Sequence, residues 1–205
     1  MRILGLTGCI GMGKTTAARM FHGLGVPVHD ADAVVHELLG PGGAAVAAIG
    51  ALFPSVIRNG EVDRAALGAL VFGDKAALRR LEKVVHPLVR AAERRFLRRA
   101  AARRAQVVVL DIPLLFETGG QGRCDAVVVV SAAKVIQTQR VMRRPGMTAV
   151  KLSAIRARQT PDAKKRCHAD FVVPSGLGRR LTLRRLMEAL RAIRSWPKRR
   201  SGIIA

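Results

Sequence analysis

Residues 8–15 read Gly8-Cys9-Ile10-Gly11-Met12-Gly13-Lys14-Thr15: a glycine, four residues, then Gly-Lys-Thr. The preceding run, Ile3-Leu4-Gly5-Leu6, is apolar and as short as one buried strand, and Thr16 to His22 has the composition of a helix. Strand, glycine loop and helix in this order make a phosphate cradle. The glycines let backbone N–H groups turn inward, and the helix N-terminus adds partial positive charge. Lys14 reaches toward β- and γ-phosphates, and Thr15 offers a hydroxyl to Mg²⁺. An ordinary strand-to-helix turn has no need of three glycines followed directly by Lys-Thr. The expected ligand is a nucleoside triphosphate.

The 205 residues suit one domain with one sizeable core, and 49% of them are apolar, which excludes a disordered chain. No apolar run approaches the ~20 residues of a membrane-spanning helix. Strand and glycine loop begin at once, so no signal-peptide layout is expected. Cys9, Cys124 and Cys167 are odd in number and lack metal-ligand spacing, which suits reduced thiols in a cytoplasm. The net charge of +22 is carried by Arg-rich runs such as Arg98-Arg99, Arg103-Arg104 and Arg184-Arg185. It fits either a solvated basic surface or a polyanion-binding one. With no Tyr and 3% aromatic residues, base stacking has little to work with.

Further along the chain, Val26 to His29 reads as a second strand ending at Asp30-Ala31-Asp32, with a helix through His36 and Leu39 stopped at Gly40-Pro41-Gly42-Gly43. Residues 44–75 hold short helical pieces and a turn at Asn59-Gly60. Apolar residues at Leu78, Leu81, Val85, Leu88, Ala92 and Phe96 mark one long amphipathic helix or two abutting ones, which Pro87 should kink or divide. Val107–Asp111, Ala126–Val130 and Phe171–Val173 are uniformly apolar strands separated by helical segments, as in an α/β fold whose parallel sheet is covered on both faces. The last helix spans about Arg179 to Ser195, Trp196-Pro197 ends it, and the basic tail from Lys198 is expected to fray.

Several carboxylates and cations stand where chemistry would need them. Asp111 closes an apolar strand, as does the acidic residue that faces Mg²⁺ in glycine-loop enzymes. Asp30 and Asp32 lie just past a strand end, where open parallel sheets bind ligands. There a carboxylate can take a proton from an attacking hydroxyl, or cap the next helix. Residues 137–168 are rich in Arg and Lys, including Arg140, and Pro145-Gly146 divides them before a helix that starts at Thr148. A basic flap between two core strands suits a closing lid over a transferred phosphoryl group. His86, alone on a helix, has no assigned chemistry at this point.

These stretches together resemble the dephospho-coenzyme A kinase family. The match runs in the family's order over nearly the whole chain. It comprises Leu6-Thr7-Gly8 through Gly13-Lys14-Thr15-Thr16, Asp30-Ala31-Asp32-Ala33, His86-Pro87-Leu88-Val89, and Asp111-Ile112-Pro113-Leu114-Leu115-Phe116-Glu117. It continues with Arg140-Val141-Met142-Arg143-Arg144, Ala157-Arg158-Gln159 and Ala169-Asp170-Phe171-Val172. The Asp-Ala-Asp, His-Pro-Leu and Pro-Leu-Leu-Phe-Glu segments are the specific ones. The resemblance implies a three-layer α/β P-loop kinase fold with a five-stranded parallel sheet. It implies one domain over residues 1–205, with a helical acceptor-binding region at about 33–95 and a lid at about 140–168.

The implied reaction moves ATP's γ-phosphoryl to the ribose 3′-hydroxyl of dephospho-CoA, giving CoA and ADP. Gly8, Gly11, Met12, Gly13, Lys14, Thr15 and Thr16 would bind ATP, with Thr15 and Asp111 toward Mg²⁺. Asp32 would be the general base, and Lys14 and Arg140 would act on the transferred group. Thr7, Asp30, His86, Pro113 and Leu114 would line the acceptor side. A monomer is favoured, with neither membrane nor specific nucleic acid as partner. Other small P-loop nucleotide or nucleoside kinases are the alternative, and a nucleic-acid-binding ATPase a more distant one. The chain departs from the family pattern at Cys9, where Gly is usual, at Met12, where Ser is usual, and at Pro174-Ser175-Gly176. Set in the loop near Lys14 and a helix N-terminus, Cys9 is expected to have a lowered pKa and to react readily.

Overall fold

Every residue of β5 (Val107–Asp111) and β6 (Ala126–Ser131) is buried. Strands of this kind need cover on both faces, and they lie inside a five-stranded sheet. Its order is β2 (Val28–Asp30), β5, β1 (Arg2–Thr7), β6 and β7 (Phe171–Pro174). β1 pairs in parallel with both β5 and β6, so that Leu4 stands between Val109 and Ala126, and β6 pairs in parallel with β7. The structure, a computed structural model, describes residues 1–196.

The two-residue period of the strands sorts their side chains onto two faces. On one, Leu4, Leu6, Val107, Val109, Ala126, Val128 and Val130 pack with Phe21 of α1 (Lys14–Gly23) and Leu186 and Ile193 of α9 (Arg179–Ser195). On the other, Val127 and Val129 cluster with Leu115 and Cys124. The strand–loop–helix order around residue 8 therefore has its expected form, with α1 beginning at Lys14 rather than Thr16.

Two compact units divide the chain. The first joins Met1–His29 to Ala100–Ala205, and the second is Asp30–Arg99. The first holds the sheet, α1, α6 (Lys134–Met142), α7 (Ala149–Arg158), α8 (Asp162–Cys167) and α9. The second holds α2 (Ala31–Leu39), α3 (Val46–Leu52), α4 (Arg64–Val71) and most of α5 (Lys75–Ala102) around its own core of Leu39, Ile49, Phe53, Val62 and Leu67. Its Asn59-Gly60 turn joins two short strands, β3 (Ile57–Arg58) and β4 (Glu61–Val62), where the sequence suggested helical pieces and a turn alone. Both turn residues have positive φ, 48° and 78°, the geometry that Asn-Gly favours in a two-residue hairpin.

α5 runs through Pro87 as a single helix of 28 residues, so of the two arrangements left open, one long helix or two abutting ones, the structure has the first. Proline removes one backbone donor. The apolar face continues on both sides of it, however, and Leu81, Val84, Val85, Leu88 and Val89 all pack on the second unit's core. Among the described residues, no helix is long and apolar enough to cross a membrane. The tail from Lys198 lies outside the described residues.

Candidate active site

The glycine loop hugs its neighbours too closely for side chains. A Cβ on Gly8 would stand 2.6 Å from the Val130 carbonyl oxygen, and one on Gly11 would meet Val141 at 2.5 Å. Gly11 also has φ +74°, which penalises any larger residue. Gly13 is the N-cap of α1, and neither a capping side chain nor an acidic residue occupies that helix's first turn. The positive end of α1 is thus left for an anion. Thr15 is exposed and Thr16 half-buried in this first turn.

Lys14 Nζ lies 2.7 Å from Asp111 Oδ1, joining the loop's last cation to the end of β5. Asp111 is 2% exposed, so Lys14 neutralises a carboxylate that would be costly to bury alone. Arg140 donates from Nη1 to Ser175 Oγ (2.9 Å) and from Nη2 to the Ser175 carbonyl (2.8 Å). Ser175 Oγ in turn donates to the Met12 carbonyl at 2.6 Å. Ser175, part of the Pro174-Ser175-Gly176 departure, therefore latches Arg140 to the glycine loop. Sequence reasoning missed this role because the contact spans 163 positions. Thr7, fully buried, donates to the Pro113 carbonyl at 3.0 Å, while Leu114 beside it is exposed.

The C-terminal part of the basic segment reaches the same loop. Ile10 N donates to Gln159 Oε1 at 3.0 Å, and Gln137 Nε2 donates to the Ile10 carbonyl at 2.8 Å. Arg156 donates to Gln137 Oε1 from both Nε and Nη2. Gln137 and Gln159 went unassigned in the sequence, since amides carry no charge signal. A cavity of about 450 Å³ lies here, lined by Cys9, Met12, Gln137, Arg156, Gln159 and Asp162 among others.

Cys9 contradicts expectation. It is 7% exposed, and its Sγ lies 3.5 Å from the Thr160 carbonyl oxygen. Burial pushes its pKa above the ordinary value, and Asp162 and Glu117 add to this against Lys165 and Arg156. The helix terminus does not prevail, because desolvation of the thiolate dominates. Alkylation with iodoacetamide at neutral pH should therefore label exposed Cys167 well before Cys9, with Cys9 gaining only as pH rises. Site-resolved mass spectrometry checks this, and faster labelling at Cys9 would refute its burial. Met12 is also buried, and its Sδ accepts from Ala132 N at 3.1 Å.

Asp30, Asp32 and His86 belong to the second unit. Asp30 is the N-cap of α2, and its Oδ1 accepts from Asp32 N at 2.9 Å and Ala33 N at 3.0 Å. The Asp32 carboxylate takes no part in the cap and is exposed in the first turn. The two acids thus differ in what they do. Asp30→Ala is expected to cost about 1 kcal/mol, read as a lower midpoint in denaturant, whereas an unchanged midpoint would show the cap to be dispensable. His86 is exposed on α5.

The sequence model of the dephospho-CoA kinase family matches residues 2–177. A dephospho-CoA kinase of Rhodospirillum rubrum is 60% identical over 198 residues, 96% of this chain and 94% of that protein. One from Paramagnetospirillum magneticum is 65% identical over 166 residues, 81% of this chain and 78% of its own. Among solved structures, a Thermus thermophilus protein superposes with a TM-score of 0.82 at 37% identity, covering 93% of this chain and 96% of that one. The Campylobacter jejuni dephospho-CoA kinase shares the fold, with a TM-score of 0.70 at 23% identity and coverage of 93% and 96%.

Proposed function

The chain belongs to the dephospho-CoA kinase family, and we propose that its residues divide the family's reaction between a phosphate cradle and an exposed carboxylate. The reaction is transfer of ATP's γ-phosphoryl to the ribose 3′-hydroxyl of dephospho-CoA. Residues Gly8, Gly11, Met12, Gly13, Lys14, Thr15 and Thr16 hold the ATP phosphates. The Lys14–Asp111 pair at the end of the glycine loop is the observation that carries this assignment. When phosphates enter, Lys14 shifts its ammonium from the Asp111 carboxylate toward the β- and γ-oxygens. Arg140, held beside the loop by Ser175, offsets charge on the moving group.

Asp32 accepts the proton of the 3′-hydroxyl as its oxygen bonds to the γ-phosphorus. The bond from that phosphorus to the bridging oxygen breaks, and ADP leaves. Asp30 holds the first turn of α2, and with it the backbone that carries Asp32. Thr7 fixes the Pro113 carbonyl, and Pro113, Leu114 and His86 complete the acceptor side.

Mg²⁺ fits the donor set. It is bound in such sites by one or two protein oxygens together with nucleotide phosphates, and no cluster of three or more His, Cys, Asp or Glu exists among the described residues to hold a metal alone. The Thr15 hydroxyl and the Asp111 carboxylate would hold it. When bound it neutralises charge on the β- and γ-phosphates.

The region at about 33–95 serves the acceptor and that at about 140–168 the lid. The enzyme acts in the cytoplasm as a monomer, with no specific nucleic acid as partner. ADP release measured over a panel of acceptors tests the assignment. Dephospho-CoA should be phosphorylated far faster than nucleosides or nucleoside monophosphates, and a preference for one of those would sink it.

A further inference from the structure

Lys165 on α8 is charged and has no exposed surface. Its Nζ lies 2.9 Å from Glu117 Oε1 and 3.2 Å from Oε2, and 3.3 Å from the Pro113 carbonyl oxygen. Taking both charges out of water is costly, and apolar residues of similar volume usually serve stability as well or better. Stability alone therefore gives a weak reason for the pair. What it does is join three segments of the phosphate cradle.

The Pro113 carbonyl that Lys165 touches also accepts from Thr7, the residue before Gly8. Pro113 stands two positions after Asp111, the partner of Lys14. Glu117 Oε1 accepts from Thr160 N at 2.7 Å, and the neighbouring Gln159 accepts from Ile10 N within the glycine loop. One ammonium thus governs the loop's entry through Thr7, its crest through Gln159, and the turn that follows β5. Burial raises the Glu117 pKa, but hydrogen bonds from Lys165 and Thr160 N outweigh this and hold the carboxyl below its ordinary value, so it stays ionised as a fixed acceptor.

We propose that Lys165 is a positioning residue for phosphoryl transfer, fixing through Glu117 and Pro113 the foot of the basic lid to the entry and the crest of the glycine loop. With no exposed surface, it has none to offer a nucleotide or acceptor. It presets the loop whose N–H groups and Lys14 receive the phosphates. This rests on the kinase assignment above.

The test replaces the pair by apolar residues, Lys165→Met with Glu117→Leu, which strands no charge. The double variant should melt close to the parent temperature, yet lose roughly 10–100-fold in kcat, the cost of a small misplacement of reacting groups. KM for ATP should change little. Amide hydrogen exchange at Ile10 and Thr160, read without substrate, should quicken. A double variant with parental kcat and parental exchange at both amides would overturn the proposal. If that variant fails to fold, Glu117→Asp carries the same test, since it keeps both charges and withdraws the carboxylate by one methylene. A fall in kcat with quicker exchange at Thr160 supports positioning, and parental values of both overturn it. Inertness of the unaltered enzyme toward dephospho-CoA would sink the kinase assignment alone, leaving the exchange experiment to decide the role of Lys165.

Discussion

Lys14→Ala is expected to reduce turnover by about 10²–10³-fold or more, the usual cost of losing a preorganised charge at a reacting phosphoryl or acyl group. Negative charge spreads over the transferred group, and the counter-charge proposed for it at the glycine loop is this ammonium. The substitution also leaves Asp111, at 2% exposure, without the cation 2.7 Å away. Loss of activity could then reflect unfolding. Lys14→Met combined with Asp111→Asn separates the two effects, since no charge is stranded. Its melt should stay near that of the parent while ADP release remains reduced by at least that factor. Near-normal turnover by a folded Lys14 variant would remove the loop from the mechanism.

For Asp32→Asn, kcat should drop by roughly 10²–10⁴-fold, the range that general-base assistance supplies. KM for ATP should barely move, because the nucleotide is held by the glycine loop. The structure sharpens the contrast with Asp30. Asp30 supplies both hydrogen bonds of the α2 cap, and Asp32 supplies none. Asn caps a helix about as well as Asp, so Asp30→Asn should leave stability and turnover close to the parent. Steady-state kinetics of the two variants decides between them. A crippled Asp30→Asn beside a mild Asp32→Asn would reverse the roles.

Much of the fold was legible in the chain because its signals are local. Uniformly apolar β5 and β6 implied a sheet covered on both faces, and both are buried throughout. The short strands β3 and β4 escaped notice because two residues each are too few to show an alternation. Around Pro87 the sequence left one long helix or two abutting ones open, and the structure has one. A proline's local penalty was visible, while the packing of Leu81 through Val89 that offsets it was not.

At the site the division is similar. Glycines 8, 11 and 13, Lys14 and Asp111 could be picked out one by one, since each residue type carries its own chemistry. The family resemblance assigned Asp30 and Asp32 different roles, and the cap adds that Asp30, not Asp32, holds the first turn of α2. Cys9 was misjudged because its neighbours in sequence suggest a lowered pKa, whereas its neighbours in space bury it.

The sequence by itself determined the α/β class, the glycine loop between a strand and a helix, and the family, each written in contiguous stretches or in motifs whose order along the chain suffices. Only the tertiary structure decided that Lys14 pairs with Asp111, that Ser175 latches Arg140, that Cys9 is shielded and that Lys165 is buried against Glu117. These partners stand 35 to 151 positions apart. Burial and charge pairing depend on which distant segments meet, and no local pattern of residues records that meeting.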